Sequence, residues 1–249
     1  MSLLSFEHVG KSYRDGRGSV KALDDVSLEI YAGDFVGIWG SRRSGKTTLL
    51  RIAAGVEPAD CGRVTFDGRD VGAMSADTRA KLQRRGGISL VGGDWWPGRN
   101  KPMIEHVALA LLSDGMSLRE ARAPAYRALE QVGMESCAHL PADRLSRLER
   151  ARVGLARAVA RRPRLLLIDE PEVLLSPRAG VVELWDLLGP LVSDPGGFAI
   201  VVAAEEIASL RRAGRMMSLD MGRLRCDDRE GTVLQFPTRR SAEESQLSS

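Results

Sequence analysis

What this chain lacks narrows its function before any motif is considered. Across 249 residues no apolar run approaches the roughly 18–20 residues that a bilayer-spanning helix requires. Any work at a membrane must therefore be done through an anchored partner. The first residues show no basic start followed by a long apolar stretch, so no secretory leader is expected. Cysteine is scarce. Cys61, Cys137 and Cys226 lie far apart, make no C-x-x-C and no metal-ligand spacing, and fit a reduced compartment in which they serve as small packing side chains. Charge of one sign is missing too: 36 Lys and Arg against 33 Asp and Glu leave a net +3, with no block that would argue for a nucleic-acid partner. No internal repeat is visible. What remains, 43% hydrophobic residues over this length, is enough for one large domain or one domain with a sub-domain.

The chain is organised around Gly40 to Thr48, read GSRRSGKTT. Gly40, Gly45, Lys46 and Thr47 occupy the fixed places of G-x-x-x-x-G-K-[ST]. The apolar run Phe35 to Trp39 precedes it and the helical pattern Leu49 to Ala54 follows, which is the strand–loop–helix setting that gives the pattern meaning. In such a loop the backbone N–H groups from Gly40 through Ser41, Arg42, Arg43, Ser44 and Gly45 to Lys46, Thr47 and Thr48 cradle phosphate oxygens, and the helix start adds its positive end. Lys46 is expected to reach the β/γ-phosphates and the Thr47 hydroxyl to take a place on Mg²⁺.

Periodicity predicts strands over Leu3 to Val9, Val20 to Ile30, Phe35 to Trp39, Val64 to Phe66 and Ile88 to Val91, with a turn-rich tip from Tyr13 to Gly18. Helices are expected to about Ala54, with Gly55 just past the end, and from Ser75 to Arg84. A helical block from Met103 to Ala160 follows, in segments Ile104 to Leu112, Leu118 to Val132 and Leu148 to Ala160. The last of these sets Leu148, Ala151, Leu155, Ala158 and Val159 on one face. Leu165 to Ile168 is wholly apolar, as a central parallel strand covered on both faces should be. A helix over Arg178 to Leu188 stopped by Gly189-Pro190, a strand over Phe198 to Ala203, a short helix over Ile207 to Ala213 and a hairpin around Met221-Gly222 complete the fold. Residues 237–249 read as a disordered tail.

After the Leu165 to Ile168 strand come Asp169, Glu170 and Pro171. An acid at the end of an apolar strand, downstream of a phosphate loop, supplies the other half of a Mg–nucleotide site. Asp169 is placed to hold the metal, and Glu170 to polarise a water aimed at the γ-phosphate. Alone, the pair would be a solvated turn before a proline.

With both halves in view, the chain resembles the ATP-binding subunit of an ABC transporter over residues 3–226. The segments KALDDVSLEI, AGDFVGIWG, GVEPADCGRVTFDGRDV, LARAVARRPRLLLIDEP and MGRL fall in that family's order and spacing. The early part is most similar to the branch serving lipoprotein-releasing and macrolide-export transporters. The resemblance implies an α/β fold: a P-loop NTPase core of mostly parallel sheet between helices, with an N-terminal antiparallel β sub-domain and an inserted helical sub-domain, about residues 94–160, within an ATP-binding domain over residues 1–236. It implies ATP and Mg²⁺ as ligands, with Lys46 and Glu170 catalytic, Thr47 and Asp169 on the metal, and Tyr13 stacked on adenine. The plain alternative for Tyr13 is an exposed residue at a turn. Integral membrane transporter subunits, a second ATP-binding subunit, and a peripheral position on the cytoplasmic face of the cell membrane are implied as well. A soluble cassette acting on nucleic acid is opposed by the single cassette and the small net charge.

The departures from the family pattern are specific. Gly93 stands where a glutamine should, with Asp94 beside it, and Trp95 and Trp96 follow as either a docking surface or ordinary packing. The signature L-S-G-G-Q becomes Leu145-Ser146-Arg147-Leu148-Glu149, which puts side chains at Arg147 and Leu148 in place of glycines. Ser146-x-x-Glu149 still reads as a capping box, and direct phosphate contact through Ser146 or Arg147 is the other reading. Ser176 replaces an aspartate, and Glu205 replaces the switch histidine. Two unit charges about 4 Å apart at an effective dielectric of about 20 repel by about 4 kcal/mol, so where a histidine would donate toward the γ-phosphate, Glu205 either turns away, becomes protonated or discourages a productive ATP pose. Elements that grip a nucleotide within the subunit are kept, and elements that cross between subunits or sense the γ-phosphate are altered. The expectation is Mg-ATP binding with slow hydrolysis, in a pair whose other member is a different chain. A nucleotide-gated structural or regulatory subunit that never hydrolyses is the alternative.

Overall fold

The structure is a computed structural model and describes residues 1–15, 18–84, 87–92, 101–171, 187–189, 198–210 and 213–226. Two sheets carry the chain. The antiparallel one has the order β2-β1-β4-β5, from β1 (Leu4–Asp15), β2 (Gly18–Ile30), β4 (Cys61–Phe66) and β5 (Arg69–Asp70). The other sheet comprises β3 (Phe35–Trp39), β6 (Ile88–Val91), β7 (Leu165–Asp169), β8 (Ala199–Ala204), β9 (Arg215–Asp220) and β10 (Arg223–Cys226), in the order β10-β9-β3-β8-β7-β6. Its strands are parallel except β10, which folds back on β9.

The helices are α1 (Lys46–Ala53), α2 (Ala76–Leu82), α3 (Met103–Leu112), α4 (Leu118–Gln131) and α5 (Arg147–Ala160). Strand side chains alternate between the two faces of the parallel sheet, and this alternation builds two cores. Leu165, Leu167, Ala199, Val201, Ala203, Val36 and Ile38 join Leu49, Leu50 and Ile52 of α1 and the inner face of the antiparallel sheet. Leu166, Ile168, Ile200, Val202 and Phe35 join α3, α4 and α5 on the other side. Both faces of β7 and β8 are therefore dry, which is why these strands are apolar without alternation. The expected fold, a mostly parallel sheet between helices beside an antiparallel sheet, is what forms.

Several boundaries move. Strand β1 runs on to Asp15 and β2 begins at Gly18, so Tyr13 is a strand residue and not part of a turn. The pairing of β1 with β2 as a long two-stranded ribbon, up to Asp15 and Gly18, takes Tyr13 into the strand. Strand β4 starts at Cys61, because Gly10 lies against it, and the short β5 was not anticipated. Asp169 is itself the last residue of β7, opposite Ala203. On α5, Val153 and Ala156 are buried along with Leu155, Ala158 and Val159, whereas Leu148 and Ala151 are only half-buried. The helix packs over a wider arc than the single stripe because it meets β6 on one side and α3 and α4 on the other. Ile207–Leu210 is one 3-10 turn, and residues 187–189 are helical, while the stop expected at Gly189-Pro190 reaches beyond the described residues. The rest of the Arg178 to Leu188 segment and the polar tail lie outside the described residues.

Candidate functional site

The site forms where the parallel strands end. Trp39 pairs with Ala204, and the Gly40 N–H donates to the Ala204 carbonyl at 3.3 Å, so the loop leaves β3 beside the end of β8. The loop closes at Gly45, which has a φ of 109° and no room for a side chain, because a Cβ there would meet the Ala22 carbonyl oxygen at 2.1 Å. Ser41, Arg42 and Arg43 are exposed along the crest, and Ser44, Lys46 and Thr48 are buried.

Lys46 is 8% exposed, and its Nζ donates to the carbonyls of Gly40 at 2.7 Å and Ser41 at 2.9 Å. Both partners are neutral, so the ammonium charge is not balanced by an acid among the described residues. A buried cation held only by dipoles carries a desolvation cost on the order of several kcal/mol, which an anion in the loop would offset. Helix α1 adds to this. Gly45 provides no side-chain cap and the first turn carries no acid. By contrast α2, α4 and α5 each start with a capping serine (Ser75, Ser117, Ser146) and an acid in the first turn (Asp77, Glu120, Glu149). The start of α1 alone among these is left for an external acceptor.

The second half of the site reaches the loop through one bond: Thr47 Oγ1 donates to Asp169 Oδ2 at 2.7 Å. Asp169 is 8% exposed and its Oδ1 has no hydrogen-bond partner, nor has the buried Ser44 Oγ. Two buried oxygens without partners beside an uncapped helix and an unbalanced ammonium fit a polyphosphate with a hard divalent cation. Thr47 and Asp169 are the residues that could hold the cation. Gly92, at the end of β6, lies so close that a Cβ there would meet the Asp169 Cβ at 2.7 Å. Glu170 is exposed and has a φ of 53°, with its N–H on the Ala203 carbonyl at 3.2 Å. A left-handed glutamate before a proline costs about 1–2 kcal/mol and turns the chain sharply out of β7, so that the two neighbouring acids part company.

Tyr13 sits on the flank of α1. Its hydroxyl lies 3.3 Å from Thr48 Oγ1, the Lys11 ammonium lies 5.8 Å from its ring centroid, and 38% of the residue is exposed. Burial pushes the phenol pKa up, with further upward contributions from Glu57. Lys11 is in turn held by Asp60 at 2.9 Å. The structure thus brings Tyr13, Thr48, the phosphate loop, Thr47 and Asp169 to one end of the sheet, with Glu170 next along the chain.

The altered positions fall into two groups. At the signature, the capping box forms: Ser146 Oγ accepts from the Glu149 N–H at 3.2 Å, and the Ser146 N–H donates to Glu149 Oε2 at 2.7 Å. Arg147 is exposed and Leu148 half-buried. Glu205 is exposed directly after Ala204, one residue from the bond that ties β8 to the phosphate loop. Gly93, Trp95, Trp96 and Ser176 lie outside the described residues. The hairpin expected around Met221-Gly222 forms as β9 and β10, but sequence reading gave it no part in the site, and it missed Gly92 and Lys11.

A phosphate loop after β3 and an acid-tipped strand β7 one strand away, across β8, in a mostly parallel sheet define a nucleotide-binding P-loop fold. The ABC transporter family profile matches residues 23–173. The chain belongs to that family, as one of its ATP-binding domains. It is 35% identical over 221 residues to the lipoprotein-releasing system ATP-binding protein LolD of Ruegeria sp., covering 88% of this chain and 96% of that protein. It is 34% identical over 223 residues to the methionine import ATP-binding protein MetN of Caulobacter vibrioides, covering 89% of this chain but only 65% of the relative's length. The fold matches the ATP-binding cassette MJ0796, solved as a dimer in a post-hydrolysis state with ADP and Pi, with a TM-score of 0.82 and 29% identity over 94% of this chain and all of that one. Among the described residues no helix is long and apolar enough to cross a membrane.

Proposed function

We propose that this chain is the ATP-binding subunit of a membrane transporter complex, and that it holds Mg-ATP between the phosphate loop and the acids at the end of β7. The observation that carries the reading is the Thr47–Asp169 hydrogen bond, which joins the two halves of the site while leaving Asp169 Oδ1 and Ser44 Oγ without partners. Lys46 and the N–H groups from Gly40 to Thr48 bind the phosphates, Tyr13 offers its ring to the base, and Thr47 and Asp169 hold Mg²⁺, which when bound neutralises phosphate charge. Glu170 accepts the proton of the attacking water at its carboxylate. The dimeric state of the MJ0796 neighbour supports pairing with a second ATP-binding subunit. The exposed α5 start and the exposed Glu205 support a pair of unlike chains in which this one hydrolyses slowly. Membrane subunits anchor the pair to the cytoplasmic face.

A second reading, a nucleotide-gated subunit that never hydrolyses, draws on Arg147 and Leu148 at the signature and on Glu205. Two substitutions test both. Lys46→Ala should weaken ATP binding by about ten- to a hundredfold, the loss of a charge-assisted hydrogen bond, and unchanged affinity would refute the site. Glu170→Gln in this chain alone should lower the ATPase rate of the assembled complex. An unchanged rate would favour the non-hydrolysing reading.

A further inference from the structure

The phosphate loop does not support itself. Strands β3 and β9 run parallel with Trp39 opposite Ser218, so the chains that continue from them, the loop on one side and the β9–β10 turn on the other, leave the sheet next to each other. They touch. The Gly222 N–H donates to the Ser44 carbonyl at 3.1 Å, and a Cβ on Gly40 would meet the Leu219 carbonyl at 2.2 Å. Strand β2 closes the arrangement from below. Its Asp24 N–H donates to the Gly222 carbonyl at 2.9 Å, and its Ala22 carbonyl lies under both Gly45 and Gly222. Asp24 Oδ2 accepts from Arg223 Nε and Nη2 at 2.9 Å, and Asp24 Oδ1 accepts from Lys21 at 2.9 Å, which ties the turn to β2 a second time.

The direction of the Gly222–Ser44 bond matters. In a trans peptide the carbonyl and the following N–H point opposite ways. Fixing the Ser44 carbonyl on Gly222 therefore turns the Gly45 N–H away from the hairpin. Gly222 has a φ of 78°, and a Cβ there would come within 2.9 Å of the Ala22 carbonyl, so only glycine keeps the turn seated between β2 and the loop.

From this geometry we infer that the β9–β10 turn is a positioning element for the phosphate loop, with Gly222 aiming the Gly45 N–H at bound phosphate and Asp24–Arg223 holding Gly222 in place. The inference rests on the nucleotide-binding reading above. It makes phosphate affinity depend on residues close to the end of the cassette that touch no nucleotide.

The test is equilibrium binding of a fluorescent ATP analogue, competed with ATP and with inorganic tripolyphosphate, to the full-length chain. Gly222→Ala is expected to weaken both competitors by the same factor, about tenfold or more, because the defect lies in the phosphate cradle and not at the base. Gly68→Ala is the control. Gly68 has a comparable φ of 73° in the β4–β5 turn and open space around it, so its substitution strains a hairpin that does not reach the loop. It should cost stability and leave both affinities unchanged. Wild-type affinity in Gly222→Ala, or equal losses in the two variants, overturns the inference. A wild-type chain that binds neither competitor overturns the nucleotide-binding reading and the inference together. If Gly222→Ala does not fold, Arg223→Ala replaces it. A several-fold loss restored by Arg223→Lys supports the positioning role, and wild-type affinity in Arg223→Ala overturns it.

Discussion

Thr47 and Asp169, 122 positions apart in the chain, share a hydrogen bond of 2.7 Å, and through it the phosphate loop and the acid-tipped strand become one site. The bond also keeps Asp169 ordered while its second oxygen is unsatisfied. Replacing Asp169 by Asn keeps the shape and removes the charge that a divalent cation requires. ATP affinity of Asp169→Asn is expected to become almost independent of Mg²⁺, whereas the wild type should bind more tightly with Mg²⁺ than with a chelator. Isothermal titration with and without the metal separates the two, and a full Mg²⁺ response in the variant would remove Asp169 from the metal.

Lys46 is a buried ammonium held by two carbonyl oxygens. Its replacement by Met should leave the melting temperature of the nucleotide-free chain unchanged or raise it by a few degrees, because the desolvation cost of the charge disappears. The rise in melting temperature that ATP causes in the wild type should vanish in the same variant, since ligand stabilisation scales with occupancy. Scanning fluorimetry with and without ATP reads both. A lower melting temperature without nucleotide would mean that Lys46 serves the fold.

Glu149 caps α5, and the Ser146 N–H, followed by the Ser146 hydroxyl, holds its carboxyl below the ordinary glutamate value of 4.5. A pKa depressed by folding contributes stability that is present above the unfolded value and is lost as pH falls through the folded one. Glu149→Gln should therefore melt lower than the wild type at neutral pH, and the gap should close as the pH drops below about 4.5. Ser146→Ala should cost about 1 kcal/mol at neutral pH, the usual loss on removing an N-cap. Thermal melts across the acid range provide the comparison, and a gap that does not change with pH would remove charge from the account of this cap.

Glu205 follows Ala204, whose carbonyl receives the first N–H of the phosphate loop. Under the proposed function a carboxylate there would oppose a γ-phosphate, so Glu205→Gln is expected to tighten ATP binding several-fold with little effect on ADP. Glu205→His should in addition raise the ATPase rate of the complex. Equal changes for ATP and ADP would show that Glu205 does not sense the terminal phosphate.

Some of this protein was readable from local pattern and some was not. The wholly apolar run Leu165 to Ile168 placed β7 as a parallel strand covered on both faces, and it is buried throughout, as is the β8 that follows. The Ser146–Glu149 spacing announced a capped helix, and the capping box is there. The reading failed where pairing partners decide an element. Tyr13 looked like turn chemistry, yet β1 and β2 stay paired to Asp15 and Gly18. Asp169 looked like the residue after a strand and is its last paired member, opposite Ala203.

The residues that bind phosphate in this family announce themselves because their chemistry is local: a loop of small residues, a lysine and a threonine must be consecutive to wrap one anion, so they survive as a string. Order along the chain also settled the fold class, since apolar strands and amphipathic helices follow from side-chain period. Which backbone supports that loop was decided only in three dimensions. Parallel pairing of β3 with β9 delivers Gly222 to Ser44, and the register of β7 against β8 delivers Asp169 to Thr47. Contacts between segments so far apart depend on sheet order and register, and no short stretch of sequence encodes either.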